Sequence, residues 1–231
     1  MMIKNSKLFC YLITFIALGG LIFPAETRAQ SEPEFLISWQ AGNYAPPGYL
    51  GRRLPTSKTV LETALELVEN GRLLNLAQSE IRWFFDGQLQ KSGTGMKTAF
   101  FVIPDFISAG SHSLEVTIVG FRGRNLEKKV GLPIAEPEVI IDAPYPQKKI
   151  LAGFNTFRAL PYFFNISRPV QLLFNWAVNG RKVTASDVSP DLLRLDTSAG
   201  FSGQPISLTL EALSKINQLE AASRAINLEI K

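Results

Sequence analysis

Residues 83–87 read WFFDG, and residues 176–180 read WAVNG. The shared pattern, Trp-x-x-[Asp/Asn]-Gly, decides the fold class. In EIRWFFDG (80–87), Ile81, Trp83 and Phe85 alternate with Arg82, Phe84 and Asp86. In LFNWAVNG (173–180), Phe174, Trp176 and Val178 alternate with Asn175, Ala177 and Asn179. A period of two with one apolar face marks a half-buried strand. Asp86-Gly87 and Asn179-Gly180 then predict two-residue hairpin turns, because both central positions of such a turn need positive φ. Trp83 and Trp176 are expected in cores, and the Asp and Asn are expected to be turn residues.

The pattern belongs to a longer repeat. EPEFLI (32–37) returns as EPEVII (136–141). Each is followed by a Pro-rich stretch, APPGYLG (45–51) or APYPQKK (143–149), then by an apolar segment, then by the Trp. Glu32 precedes Trp83 by 51 positions and Glu136 precedes Trp176 by 40, so the first copy carries extra residues before its Trp. Turn signals recur about every ten residues, which is all-β spacing. The expected organisation is a segment 1–29 followed by two sandwiches, 30–135 and 136–231, each of roughly a hundred residues. TVLETALELVENG (59–71) fits a helix by composition and a strand by alternation of Leu61, Thr63, Leu65 and Leu67; its place in a β repeat favours strand. LEALSKINQLEAASRA (210–225) carries the same ambiguity and is read as a hairpin turning near 215–218. The joint PIAEPE (133–138) holds two prolines and no glycine, so a short stiff connection and an end-to-end rod are expected.

Composition sets the class. Of 231 residues, 46% are hydrophobic and 19% charged, enough apolar material for packed cores. The first residues have the layout of a secretory signal peptide: Lys4 and Lys7, an apolar run from Leu8 to Phe23, Pro24, and a small-residue site ending at Ala29. Cleavage there is expected, with an uncleaved membrane anchor as the alternative. Cys10, the only cysteine, lies in that run, so the mature chain would have no disulfide. Cleavage removes three of the 24 basic and one of the 20 acidic residues, leaving 21 minus 19, a net charge of +2. The short basic runs GRR (51–53), KK (128–129) and KK (148–149) are dispersed, and no nucleic-acid partner is expected.

The Trp strand, the hairpin after it and the Gly-start strand GSHSLEVTI (110–118) resemble those of bacterial immunoglobulin-like and PKD-like domains. ISWQAGNYAPPGYLGRRLP (37–55) followed by IRWFFDGQLQKSGTG (81–95) is similar to a group of exported, uncharacterised two-domain bacterial proteins. The resemblance spans most of the mature chain, and it implies tandem immunoglobulin-like sandwiches. The second copy departs from it, with GQPISL (203–208) in place of GSHSL. The resemblance implies no activity, since such sandwiches host many functions.

Candidate chemistry is sparse. His112 is the only histidine. Its neighbours Ser111 and Ser113 point to the opposite face of a strand and cannot serve it as nucleophiles. One histidine and no mature cysteine leave the usual zinc sets without ligands. Asp187, Asp191 and Asp196 match no calcium-loop spacing. No catalytic residue, metal or cofactor is expected. Tyr44, Tyr49 and Tyr145, in or near Pro-rich loops, are possible binding aromatics, or they pack across the sandwich ends. The expectation is a non-enzymatic exported protein, structural or adhesive, acting at the cell surface on an unknown protein or glycan. A carbohydrate-binding module and an accessory factor of pilus or envelope assembly are the alternatives. Contact with a membrane would come only through an uncleaved first segment.

Overall fold

The computed structural model describes residues 32–143, 145–185 and 189–231. The expected signal segment 1–29, with Cys10, lies outside the described residues, as does Asp187. Among the described residues, eight strands precede residue 135: β1 (Glu34–Ala41), β2 (Val60–Glu69), β3 (Arg72–Leu73), β4 (Glu80–Phe85), β5 (Gln88–Thr94), β6 (Thr98–Val102), β7 (Gly110–Phe121) and β8 (Arg124–Ile134). Eight follow: β9 (Glu138–Asp142), β10 (Lys149–Ile150), β11 (Phe154–Tyr162), β12 (Leu172–Val178), β13 (Arg181–Val183), β14 (Leu192–Asp196), β15 (Pro205–Ser214) and β16 (Ala221–Ile230). Among the described residues there is no α-helix.

The strands form immunoglobulin-like β-sandwiches. In the first, β2 pairs with β1 along one edge and with β6 and the short β3 along the other, facing a sheet of order β5-β4-β7-β8. The second repeats this plan: β14-β11-β9 faces β10-β16-β15-β12-β13. Its one addition is β10, which runs parallel to β16, while every other pairing is antiparallel. Each Trp strand is central in its sheet, β4 between β5 and β7 and β12 between β13 and β15.

Alternation places the cores. Leu61, Leu65 and Leu67 of β2 face inward with Thr63, while Val60 and Glu62 are exposed, so the segment with helical composition is a strand. Tertiary pairing on both edges of β2 overrides the helical propensity of Leu, Glu and Ala. The first core packs β2 against Ile81, Trp83 and Phe85 of β4 and Leu114, Val116 and Ile118 of β7. The second gathers Phe157, Phe174, Trp176, Leu193, Leu208 and Leu210. β15 and β16 form a long hairpin across 215–220.

The excess length of the first copy lies mostly between its first two strands, in residues 42–59. Both sandwiches fall within one compact unit, Glu34–Lys231.

Candidate functional site

The two Trp strands share more than their spacing. Trp83 and Trp176 are buried, and each indole nitrogen donates to a backbone carbonyl, Trp83 to Met96 at 3.1 Å and Trp176 to Pro190 at 3.3 Å. Both acceptors sit two residues before a strand of the opposite sheet, β6 or β14. The indole therefore fills the core and ties down the strand entering the opposite sheet. Burying an indole without an acceptor for its N–H would be unfavourable.

Each Trp strand then turns through two residues of positive φ: Asp86 (47°) and Gly87 (75°), Asn179 (49°) and Gly180 (76°). That is the primed hairpin geometry, whose twist matches the strands it joins. The Asp and Asn do more than tolerate it. Asp86 N–H donates to the Ser113 carbonyl (2.9 Å), and Ser113 N–H donates back to the Asp86 side chain (2.8 Å). In the second copy Asn179 N–H donates to Ser207 O (2.8 Å), and Ser207 N–H donates to Asn179 Oδ1 (2.8 Å). The turn rotates the backbone carbonyl out of the ladder, and the side-chain oxygen takes its place. This also corrects the comparison of the repeats: GSHSL and GQPISL correspond through Ser113-Leu114 and Ser207-Leu208.

His112 completes the first turn. Its Nδ1 lies 2.6 Å from Asp86 Oδ2, its Nε2 lies 2.9 Å from the Ser108 carbonyl, and its ring stacks on Phe85. Both nitrogens face acceptors, so the doubly protonated ring satisfies both. The bond to Asp86 raises the His112 pKa against the effect of burial. Partial burial pushes Asp86 up, but donation from His112 and Ser113 outweighs it and holds the carboxyl below its usual range. Ser113 Oγ bonds Asp86 at 3.3 Å. The three side chains are thus an acid, a base and a hydroxyl in contact, but the base is bound to a main-chain carbonyl, where a nucleophile would have to be.

All three tyrosines contact other parts of the chain, and Tyr49 stays exposed at 38%. Tyr44 is half-buried against the second core and exchanges backbone bonds with Phe163 and Phe164 (2.7 and 2.8 Å). Tyr49 packs edge-on against Tyr162 and Phe163. Tyr145 packs on Phe157, and its hydroxyl accepts from Thr156 N–H at 2.9 Å. Of the aspartates considered for calcium, Asp191 lies 3.9 Å from Arg158 Nε and Asp196 accepts from Ser198.

The segment 42–59 builds a polar junction between the sandwiches. Asn43 Nδ2 donates to Leu54 O (2.6 Å) and Phe163 O (3.2 Å). Thr56 Oγ1 also donates to Phe163 O, and Thr59 Oγ1 donates to Asn165 Oδ1 at 2.7 Å. Asn165 Nδ2 donates to Ser57 O (2.8 Å) and to Glu220 Oε1 (2.9 Å), which also accepts Asn165 N–H (2.7 Å). Asn43, Thr56, Thr59 and Glu220 are all buried. Burial raises the Glu220 pKa despite the opposing Asn165 donors. Beside this network opens a cleft of about 370 Å³, whose wall includes Lys58, Asp105, Phe106, Glu136, Leu219 and Glu220. A shallower depression of about 530 Å³ lies against Trp39, Tyr49, Leu50 and Arg52, with the Arg52 guanidinium 4.6 Å from the centre of the Trp39 ring.

Asn165 and Glu220 carry almost no signal in the sequence. Their one local signal is a pair of polar residues beside apolar strands (FFNI, QLEA), and such pairs are common in loops.

No protein-family model matches the chain, and no curated protein matches it. Solved structures do. The fibronectin(III)-like modules of Clostridium thermocellum CbhA are 15% identical, with 84% of this chain and 93% of that one covered at a TM-score of 0.28. Three N-terminal domains of the highly immunogenic outer capsid protein of bacteriophage RB49 are 13% identical, with 85% and 59% covered at 0.44. The SGBP-B protein of a Bacteroides ovatus mixed-linkage glucan utilization locus, solved with a heptasaccharide, is 14% identical, with 87% and 47% covered at 0.26. The chain thus spans about half the length of the last two. The fold assignment rests on the strand pairing above, and these likenesses add no function to it.

Proposed function

We propose that the protein is an exported, non-enzymatic module of the bacterial tandem immunoglobulin-like/PKD-like kind, whose two sandwiches act together to bind another protein at the cell surface or envelope. One observation carries this reading. Most groups that sequence marks as candidate chemistry are tied into bonds that hold the fold: both His112 nitrogens are committed, and Tyr44 and Tyr145 pack within the chain. The net charge of +2 expected for a mature chain supports a partner other than nucleic acid. The test is to assay purified residues 30–231 against glycans, esters and peptides. Turnover abolished by His112→Ala would overturn the reading. Sequencing the N-terminus of the exported protein tests export, with Gln30 expected first.

A second reading, carbohydrate binding, is favoured by the depression against Trp39 and Tyr49, since aromatic faces stack on sugar rings. A glycan array decides it. Binding lost in Tyr49→Ala but kept in Tyr44→Phe and Tyr145→Phe would put a glycan in place of the protein partner.

A further inference from the structure

The cleft beside the junction carries groups that the fold leaves unused. Glu220 is 5% exposed; Asn165 occupies its Oε1 and the Ser214 hydroxyl stands beside the carboxyl, but its buried Oε2 has no donor within hydrogen-bond geometry. A buried carboxylate oxygen without a donor is unfavourable, and a ligand donor that reaches it would remove that cost. The other charged groups in the wall are Asp105, Glu136 and Lys58, and Lys58 is already paired with Asp105 at 3.3 Å. Carboxylates therefore outnumber cations by three to one. Two large apolar side chains stand in the same wall, one from each sandwich: Phe106 is 84% exposed and Leu219 is 72% exposed. Phe106 also adopts φ 56°, a conformation unfavourable for a bulky side chain. An acidic cleft with a buried unpaired acceptor and an apolar wall complements a cation on an aliphatic stem, which is the chemistry of arginine and lysine side chains.

We propose that this cleft receives a basic side chain of a partner protein, its cation set against Glu220 and Glu136 and its stem and apolar neighbour against Phe106 and Leu219. The proposal rests on the protein-binding reading above and names the chemistry of the contact. A metal ion fits less well, since no group of three metal-binding side chains occurs among the described residues. An anionic ligand would meet a net negative wall.

The probe is N-acetyl-Leu-Arg-amide, titrated into the full mature protein and followed by amide NMR shifts. The controls are N-acetyl-Leu-citrulline-amide, which keeps the shape without the charge, and N-acetyl-Leu-Glu-amide. Saturable shifts are expected at 105–108 and 217–220 with the Arg peptide alone. Glu220→Gln keeps an oxygen for Asn165 and should weaken binding about tenfold, as removal of a charge-assisted partner does. Phe106→Ala, at an exposed loop position that leaves the cores intact, should weaken it severalfold. Equal binding of the citrulline peptide, shifts centred on Trp39 and Tyr49, or unchanged affinity in both variants would overturn the proposal. Those outcomes leave the protein-binding reading standing, whereas turnover lost in His112→Ala would remove that reading and leave the cleft result intact.

Discussion

Asp86→Asn makes the first hairpin turn chemically identical to the second, where Asn179 stands. The amide oxygen still accepts Ser113 N–H, as Asn179 accepts Ser207 N–H at 2.8 Å. What changes is the 2.6 Å contact with His112. With His112 protonated, the new amide N–H₂ meets Nδ1–H, a donor against a donor. With His112 neutral, the amide donates to a bare Nδ1 while Nε2–H keeps Ser108 O. The His112 pKa is raised in the folded protein, so its contribution to stability is fully present below the ordinary value of 6.5 and is lost as pH rises through the folded value. The Asp86 pKa is lowered, so its contribution is present above 3.8 and is lost as pH falls through the folded value. The pair therefore stabilises the fold between those limits. The Asp86 side chain is 42% exposed and that of His112 is 18% exposed, so solvent screens the interaction, and a partly exposed pair contributes about 0.5–1 kcal/mol. Asp86→Asn should cost that amount at about pH 5 and close to nothing at about pH 9. Urea unfolding of both proteins at the two pH values measures it. An equal loss at both, or a larger loss at high pH, would refute the charge argument and leave Asp86 as a turn residue alone.

The remaining predictions concern the cores and their junction. Trp83→Ala and Trp176→Ala should each destabilise by about 3–5 kcal/mol, since each indole is buried and bonded to a carbonyl; a loss under about 1 kcal/mol in denaturant unfolding would contradict the core assignment. Asn165→Ala removes donors to Ser57 and Glu220 and an acceptor for Thr59, all at the junction. It should cost about 1–3 kcal/mol and separate unfolding into two transitions. A single, unshifted transition in calorimetry would show that the network does not couple the sandwiches.

The sequence by itself determined the fold class. Period-two alternation fixed which residues of β2, β4 and β12 face inward, because side-chain direction in a strand depends only on parity. Asp-Gly and Asn-Gly determined the turns, because positive φ is a local property of two residues. The Trp repeat determined that the strand plan occurs twice. Tertiary structure alone decided the rest. Sequence offers His112 only Ser111 and Ser113 as near polar neighbours, on its own strand. The ring instead meets Asp86, 26 positions away, because strand pairing sets the register of a neighbouring turn against it. APPGYLG (45–51) reads as a Pro-rich stretch whose tyrosines either meet a ligand or pack across the sandwich ends, and it lies within residues 42–59. Those residues join the sandwiches through bonds that span more than 100 positions, Asn43 to Phe163 and Thr59 to Asn165. The burial of Glu220 has the same origin. Its sequence neighbours are those of an ordinary hairpin loop, yet it is buried, with its Oε1 bonded to Asn165, which in turn bonds Ser57 of the first sandwich. A single sequence records local backbone preference directly, whereas contacts between distant segments depend on how two finished sandwiches meet.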